Sequence, residues 1–168
     1  MLQPNPELSI VILCYRNGES TIPFTQAVIG ELRKEKITNY ELVLVANYLE
    51  GLVDSTPEVV QQLANTNPNI VPVVHKKKGM MGWDVITGLA AATGEVIALI
   101  DGDGQMPPAD IVRLYRVLKS GEFDFVKTYR QKRFDGRFRL LTSRLFNGLF
   151  SIFFRSFSFD TSTRNQKC

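Results

Sequence analysis

The sequence predicts an α/β fold, a mostly parallel sheet with helices on both faces. Short apolar, β-branched runs alternate with helical stretches four times along the chain. The runs are apolar enough to be read as buried strands. The length of 168 residues fits one domain with a sizeable core, and 44% hydrophobic and 22% charged residues are ordinary for a soluble globular protein.

Leu8 to Cys14, LSIVILC, is the first strand. The loop YRNGES follows, then a helix from about Ser20 to Lys36. Glu41 to Ala46, ELVLVA, is the second strand. Asp54-Ser55-Thr56-Pro57-Glu58 is a helix start: Thr56 can cap, Pro57 suits the first turn and Glu58 favours the dipole. That helix should reach about Asn65. Ile70 to His75 is a third strand, Gly82 to Thr93 an Ala-rich helix and Glu95 to Ile100 a fourth strand. Asp110 to Ser120 is helical, with Ile111, Leu114, Tyr115 and Leu118 on one face, and Phe123 to Tyr129 is a fifth strand. In such sheets ligands bind beyond the carboxyl ends of the strands. The loops 15–20, 47–54, 76–82 and 101–107 all leave such ends.

Several classes drop out. Two cysteines, Cys14 and Cys168, make no disulfide framework and point to a reducing compartment. With one histidine, His75, they also exclude a His/Cys zinc cluster from this chain alone. The N-terminal MLQPNPELS has neither a basic region nor a long apolar one, so no signal peptide is expected. No uninterrupted apolar run approaches the roughly 18 residues of a membrane span. The net charge of +3 permits an anionic partner without demanding one. Residues 137–155, RFRLLTSRLFNGLFSIFFR, carry four arginines and no acid among Phe and Leu. They read either as an amphipathic helix at a membrane interface or as a core-packing helix with its arginines in solvent.

The stretch LIDGDGQMPP places Asp101 and Asp103 directly after the fourth strand. A calcium EF-hand would need Gly and Glu where Met106 and Val112 stand. A response-regulator pocket would want acids after the first strand, which ends in Cys-Tyr-Arg-Asn. Two readings stay open. One is an acidic turn, for which Asp-Gly pairs are common. The other is a site for magnesium or manganese shared with a nucleotide diphosphate. Such ions take hard oxygen ligands, with Gln105 adding a neutral one and the glycines letting backbone approach the ligand.

The order LSIVILCYRNGE, ELVLVANYLEGLVDSTPE, KKKGMMGWDVITGLAAATGEVIALIDGDGQMPP, VKTYRQKRFDGRFRLLTSRLFN resembles family 2 glycosyltransferases of the GT-A fold, over about residues 8–165. It is most similar to the branch of dolichyl-phosphate mannose synthase and bacterial polyprenyl-phosphate glycosyltransferases. ATGEVIALIDGDGQMPP carries that branch's pattern of Ala-X-Gly, a strand, Asp-X-Asp, X, Gln and Pro. The resemblance implies a Rossmann-like nucleotide-diphospho-sugar transferase domain over 1–168, short of its C-terminal portion, with 137–155 as a membrane-proximal helix. It implies a metal, Mg2+ or Mn2+, on Asp101, Asp103 and Gln105, with Asp103 the catalytic ligand of the diphosphate. Tyr15, Asn47, Asp54, Lys78, Gly79 and Asp101 would bind the nucleotide sugar. Asp54 reads equally as a helix-start acid. Gly82 belongs to the same glycine loop as Gly79, and Lys76 and Lys77 beside it would meet phosphates or simply be solvated. Arg130 and Arg133 would meet phosphates of donor or acceptor. Arg139, Ser143 and Asn147 match the downstream helix.

Two positions depart from the family pattern. Asn47 stands where an aspartate usually reads the base, and in Tyr15-Arg16-Asn17-Gly18-Glu19 the acid is displaced. The expected activity is metal-dependent transfer of a hexose, with inversion, from a UDP- or GDP-hexose to an acceptor, foremost a polyprenyl phosphate. The expected location is cytoplasmic, at the cytoplasmic face of a membrane, with no nucleic-acid partner. The alternative is a nucleotide-sugar-binding or degenerate domain without turnover. A nucleotidyltransferase would want a GXGXR-like loop that YRNGES does not provide.

Overall fold

The computed structural model describes residues 6–128. The chain divides into two units, Met1–Val126 and Lys127–Cys168, and every described helix and strand lies in the first. In chain order these are β1 (Leu8–Leu13), α1 (Thr21–Lys34), β2 (Tyr40–Val45), α2 (Thr56–Thr66), β3 (Ile70–Val73), α3 (Met81–Ala91), β4 (Val96–Asp101) and α4 (Ala109–Lys119). A 3-10 turn, Gly18–Ser20, leads into α1. The strands are all parallel in the order β3-β2-β1-β4. The predicted α/β class and its first four strands are therefore present.

The expected fifth strand is not formed over residues 123–128. Phe123 and Phe125 face solvent, Phe125 at 77% exposure. Apolar alternation makes a strand only where an edge accepts its backbone and a layer covers its face. Neither meets these residues among those described. Tyr129 lies outside the described residues.

β1 is the core. All six of its residues are buried, because β2 and β4 take its two edges and helices take its two faces. Leu8, Ile10 and Ile12 point to a cluster with Phe24, Val28 and Leu32 of α1, Val60 of α2, and Ile111, Val112 and Tyr115 of α4. Val11 and Leu13 point the other way, with Val43, Val45 and Val73, to meet Val85 of α3. α3 lies close to the sheet because Gly88 faces it: a Cβ there would stand 2.5 Å from Val11 Cγ1 and 2.8 Å from Val45 Cγ2.

The helix ends follow local rules, with one exchange of roles. α1 stops in a Schellman arrangement, Ile37 N–H donating to the Leu32 carbonyl at 2.9 Å, with Lys36 at φ 58° in the place glycine usually takes. At α2 the expected cap, Thr56, is instead the first helical residue. Asp54 Oδ1 accepts both the Thr56 N–H, at 3.0 Å, and the Thr56 hydroxyl, at 2.5 Å. The Thr56 Oγ1 is turned inward, where it accepts the Gly18 N–H at 2.8 Å.

At the amino ends of the strands a buried carboxylate locks three segments together. Glu41 Oε1 accepts from Ser9 Oγ at 2.5 Å, from Thr93 N–H at 2.6 Å and from Thr93 Oγ1 at 3.0 Å. Ser9 Oγ in turn accepts the Gly94 N–H at 2.7 Å. A Cβ on Gly94 would stand 2.6 Å from Ser9 Oγ. The Thr93-Gly94 pair of the Ala-X-Gly motif is thus a joint between β1, β2 and the entry to β4.

Glu41→Ala strips the acceptor from buried donors and should lower unfolding free energy by about 3 kcal/mol in urea melts. Gly88→Ala should cost about 2 kcal/mol by forcing α3 off the sheet. A loss below about 0.5 kcal/mol in either case would remove the corresponding contact from the account of stability.

Candidate functional site

The chain runs outward from β1 through β2 to β3, then returns to the other side of β1 as β4. The order therefore reverses between β1 and β4, and that crevice is where open parallel sheets take ligands. The acidic loop stands on its rim. Asp101 is the last residue of β4, opposite Leu13, and the Gly102 N–H donates to the Leu13 carbonyl at 2.9 Å. A Cβ on Gly102 would meet that carbonyl oxygen at 2.9 Å and Asn17 Nδ2 at 3.0 Å. Glycine stands between the acids because the chain presses against the end of β1. Asp103 Oδ1 accepts the Gln105 N–H at 2.9 Å, and Gly104 completes the turn at φ 74°.

Asp101, Asp103 and Gln105 are all exposed. Desolvation first, and the neighbouring Asp103 charge second, hold the Asp101 carboxyl above the usual carboxylate range. Neither carboxylate has an ion-pair partner among the described residues. Among the described residues no group of three or more His, Cys, Asp or Glu side chains could hold a metal ion. Two carboxylates suit an ion that takes its remaining oxygens from a phosphate.

On the β1 side of the crevice the chain is bent sharply, with Arg16 at φ 58° and Gly18 at φ 50°. A non-glycine residue in that region carries strain, which collects at functional loops. Tyr15 is half-buried there. The Asp54–Thr56–Gly18 relay described above ties this loop to the start of α2. Asp54 is therefore a local anchor, whatever else it does.

A buried polar cluster lies at the ends of β2 and β3. Asn47, 1% exposed, donates to Asp84 Oδ1 at 2.9 Å and to Thr87 Oγ1 at 2.8 Å, while its own Oδ1 accepts the His75 N–H at 2.9 Å. Both amide hydrogens are engaged inside the protein, so the expected direct contact from Asn47 to a base gives way to an anchoring role. Lys77 forms an ion pair with Asp84, each side chain only 4% exposed, and its ammonium sits 3.8 Å from the centre of the Tyr15 ring.

The lysine run divides. Lys76 pairs with Glu50 at the surface, and Lys78 lies 5.6 Å over the Trp83 ring beside Gly79. Asp84 was not among the residues singled out from sequence. Its signal is an acid four residues before Gly88, on the sheet-facing side of an otherwise apolar helix. Cys14 is no nucleophile, since burial pushes its thiol up to about 12. Arg130, Arg133, Arg139, Ser143, Asn147 and the segment 137–155 lie outside the described residues. Among the described residues no helix is long and apolar enough to cross a membrane.

The family model described as Glycosyl transferase family 2 matches residues 9–167. An undecaprenyl-phosphate 4-deoxy-4-formamido-L-arabinose transferase of Proteus mirabilis is 28% identical over 144 residues, 85% of this chain and 43% of that protein. Proteins of the same name from Photorhabdus laumondii and Yersinia pestis are 29% and 31% identical, over 85% and 86% of this chain and 43% of each relative. The chain thus spans less than half the length of the curated relatives it matches.

The raised Asp101 carboxyl has a sign that can be checked. Its folded-state proton affinity exceeds the unfolded one, so ionising it costs stability as pH rises into and through its raised pKa. Asp103→Asn removes the like charge and should bring the Asp101 titration back toward the ordinary range, followed by carboxyl-carbon NMR. An unmoved titration would show that the two carboxylates do not interact.

Proposed function

The chain belongs to glycosyl transferase family 2, and from that premise we propose that it transfers a hexose from a nucleoside diphosphate sugar to a polyprenyl phosphate. The observation that carries the reading is the Asp101/Asp103 pair on the rim of the switch-point crevice, in a chain of this family with an all-parallel sheet. The acceptor rests on the relatives, which are named for transfer involving undecaprenyl phosphate.

The acceptor phosphate oxygen attacks the anomeric carbon. A new carbon–oxygen bond forms as the bond to the nucleoside diphosphate breaks, and the configuration inverts. A phosphate is already ionised near neutral pH, so no side chain need act as general base. Asp101 and Asp103, with Gln105, are the groups that would hold Mg2+ or Mn2+. When bound, such an ion offsets the charge that builds on the departing diphosphate. Tyr15 offers its ring to the base. Lys78 and Gly79, on the neighbouring loop, border the donor, and Asp54 keeps the Tyr15 loop in place through Thr56. Arg130 and Arg133 are proposed for the phosphates of donor or acceptor. A lipid acceptor places the work at the cytoplasmic face of a membrane.

A second reading, nucleotide-sugar binding without turnover, draws support from Asn47, which is neutral and engaged inside the protein. Thermal unfolding with UDP or GDP, each with Mn2+, tests the shared premise. A nucleotide at a hundredfold excess over its Kd should raise the melting temperature by about 5 °C. Asp103→Ala should abolish the metal-dependent shift. No shift with either nucleotide would sink both readings. A shift without nucleotide release from the sugar donor in the presence of polyprenyl phosphate would favour the second.

A further inference from the structure

Lys77 and Asp84 form a costly arrangement. Two opposite charges are each 4% exposed, and removing charges from water usually costs more than their attraction returns. An apolar pair would serve the packing of α3 at least as well. The pair lies at the ligand edge of the sheet, where it joins three strand ends. Asp84 Oδ1 accepts from Asn47 at the end of β2, and its Oδ2 takes Lys77, which follows β3. The Lys77 ammonium then rests on the Tyr15 ring, which follows β1. The backbone supports this placement: Lys77 N–H donates to the Tyr48 carbonyl at 2.9 Å, extending the β2–β3 pairing past the strands.

We propose that Asp84 is a positioning residue for the nucleoside pocket and acts through Lys77. It holds the ammonium against one face of Tyr15, which fixes the ring's orientation and leaves a base to stack elsewhere on it. This inference rests on the proposed nucleotide-sugar reading. It adds to that reading a residue whose effect on the ligand is indirect. Thr87 closes the same network from the helix, accepting from Asn47 while donating to backbone carbonyls one turn back.

Trp83 is the single tryptophan, next to Asp84, and its fluorescence can follow binding of UDP or GDP with Mn2+ to the full chain. The decisive variant is Lys77→Met combined with Asp84→Asn, which leaves no buried charge unpaired. It should melt near wild type yet bind the nucleotide about tenfold more weakly, because the ring has lost its cation. A purely structural pair predicts the reverse: wild-type affinity once stability is restored. Wild-type affinity in the double variant would therefore overturn the inference. Should that variant fail to fold, Asp84→Asn alone carries the test: it frees the Lys77 ammonium from its anchor, so with melting recorded beside affinity a protein that is still folded should bind the nucleotide more weakly, and wild-type affinity would overturn the inference. If wild-type protein binds neither nucleotide, the functional reading falls and this inference with it. If wild type binds and the variants bind equally well, only this inference falls.

Discussion

Everything at the ligand edge depends on the register in which β1 is held between β2 and β4. A slip of one residue in a parallel pair would exchange the two faces of a strand. Here it would turn Val11 and Leu13 toward α1 and α4, and Leu8, Ile10 and Ile12 toward α3, where a Gly88-thin gap admits only small branched side chains. The same slip would separate Asp101 from Leu13 and carry the acidic loop away from the Tyr15 loop. Glu41 pins the register at one end of the sheet, with three donors on a single oxygen. Gly102 pins it at the other by donating to the Leu13 carbonyl.

The two sides of the crevice are electrostatically unlike. On the β4 side, two exposed carboxylates stand together with no ion-pair partner among the described residues, and burial first and the Asp103 charge second raise the cost of ionising Asp101. On the β2–β3 side, the buried carboxylate of Asp84 is already matched by Lys77. Among the described residues the charge of Asp101 and Asp103 has no ion-pair partner, which is what the proposed metal site draws on. The described residues thus carry unpaired carboxylates on one side of the crevice and a paired, buried polar cluster on the other.

The glycines of the motif have packing and backbone reasons of their own. In Asp101-Gly102-Asp103, Gly102 is required by the end of β1. Gly104 is required by its positive φ. In Thr93-Gly94 the glycine serves Ser9 and the Glu41 lock at the far end of β4 from the acids. The motif's two halves thus do separate jobs, one at each end of the same strand.

The α/β class, the four strands, the helices between them and the placement of Asp101 and Asp103 at a strand's carboxyl end were legible in the sequence. These follow from local periodicity, turn chemistry and the β-branched runs, which are short-range properties. The expected fifth strand did not form over residues 123–128, because strand-like residues still need a partner edge that no local pattern reports. Asp84 was hidden for a related reason. An acid inside an apolar helix has no meaning until packing shows which group lies opposite. Only the tertiary structure brought Asn47, Lys77, Asp84 and Tyr15 together from positions up to 69 apart in the chain, and only it showed Asn47 engaged as an anchor. The sequence by itself determined which groups reach the ligand edge; the meeting of β1, β2 and β3 there decided which of them remain free to act, because a buried donor or acceptor takes the nearest partner in space, whatever its distance along the chain.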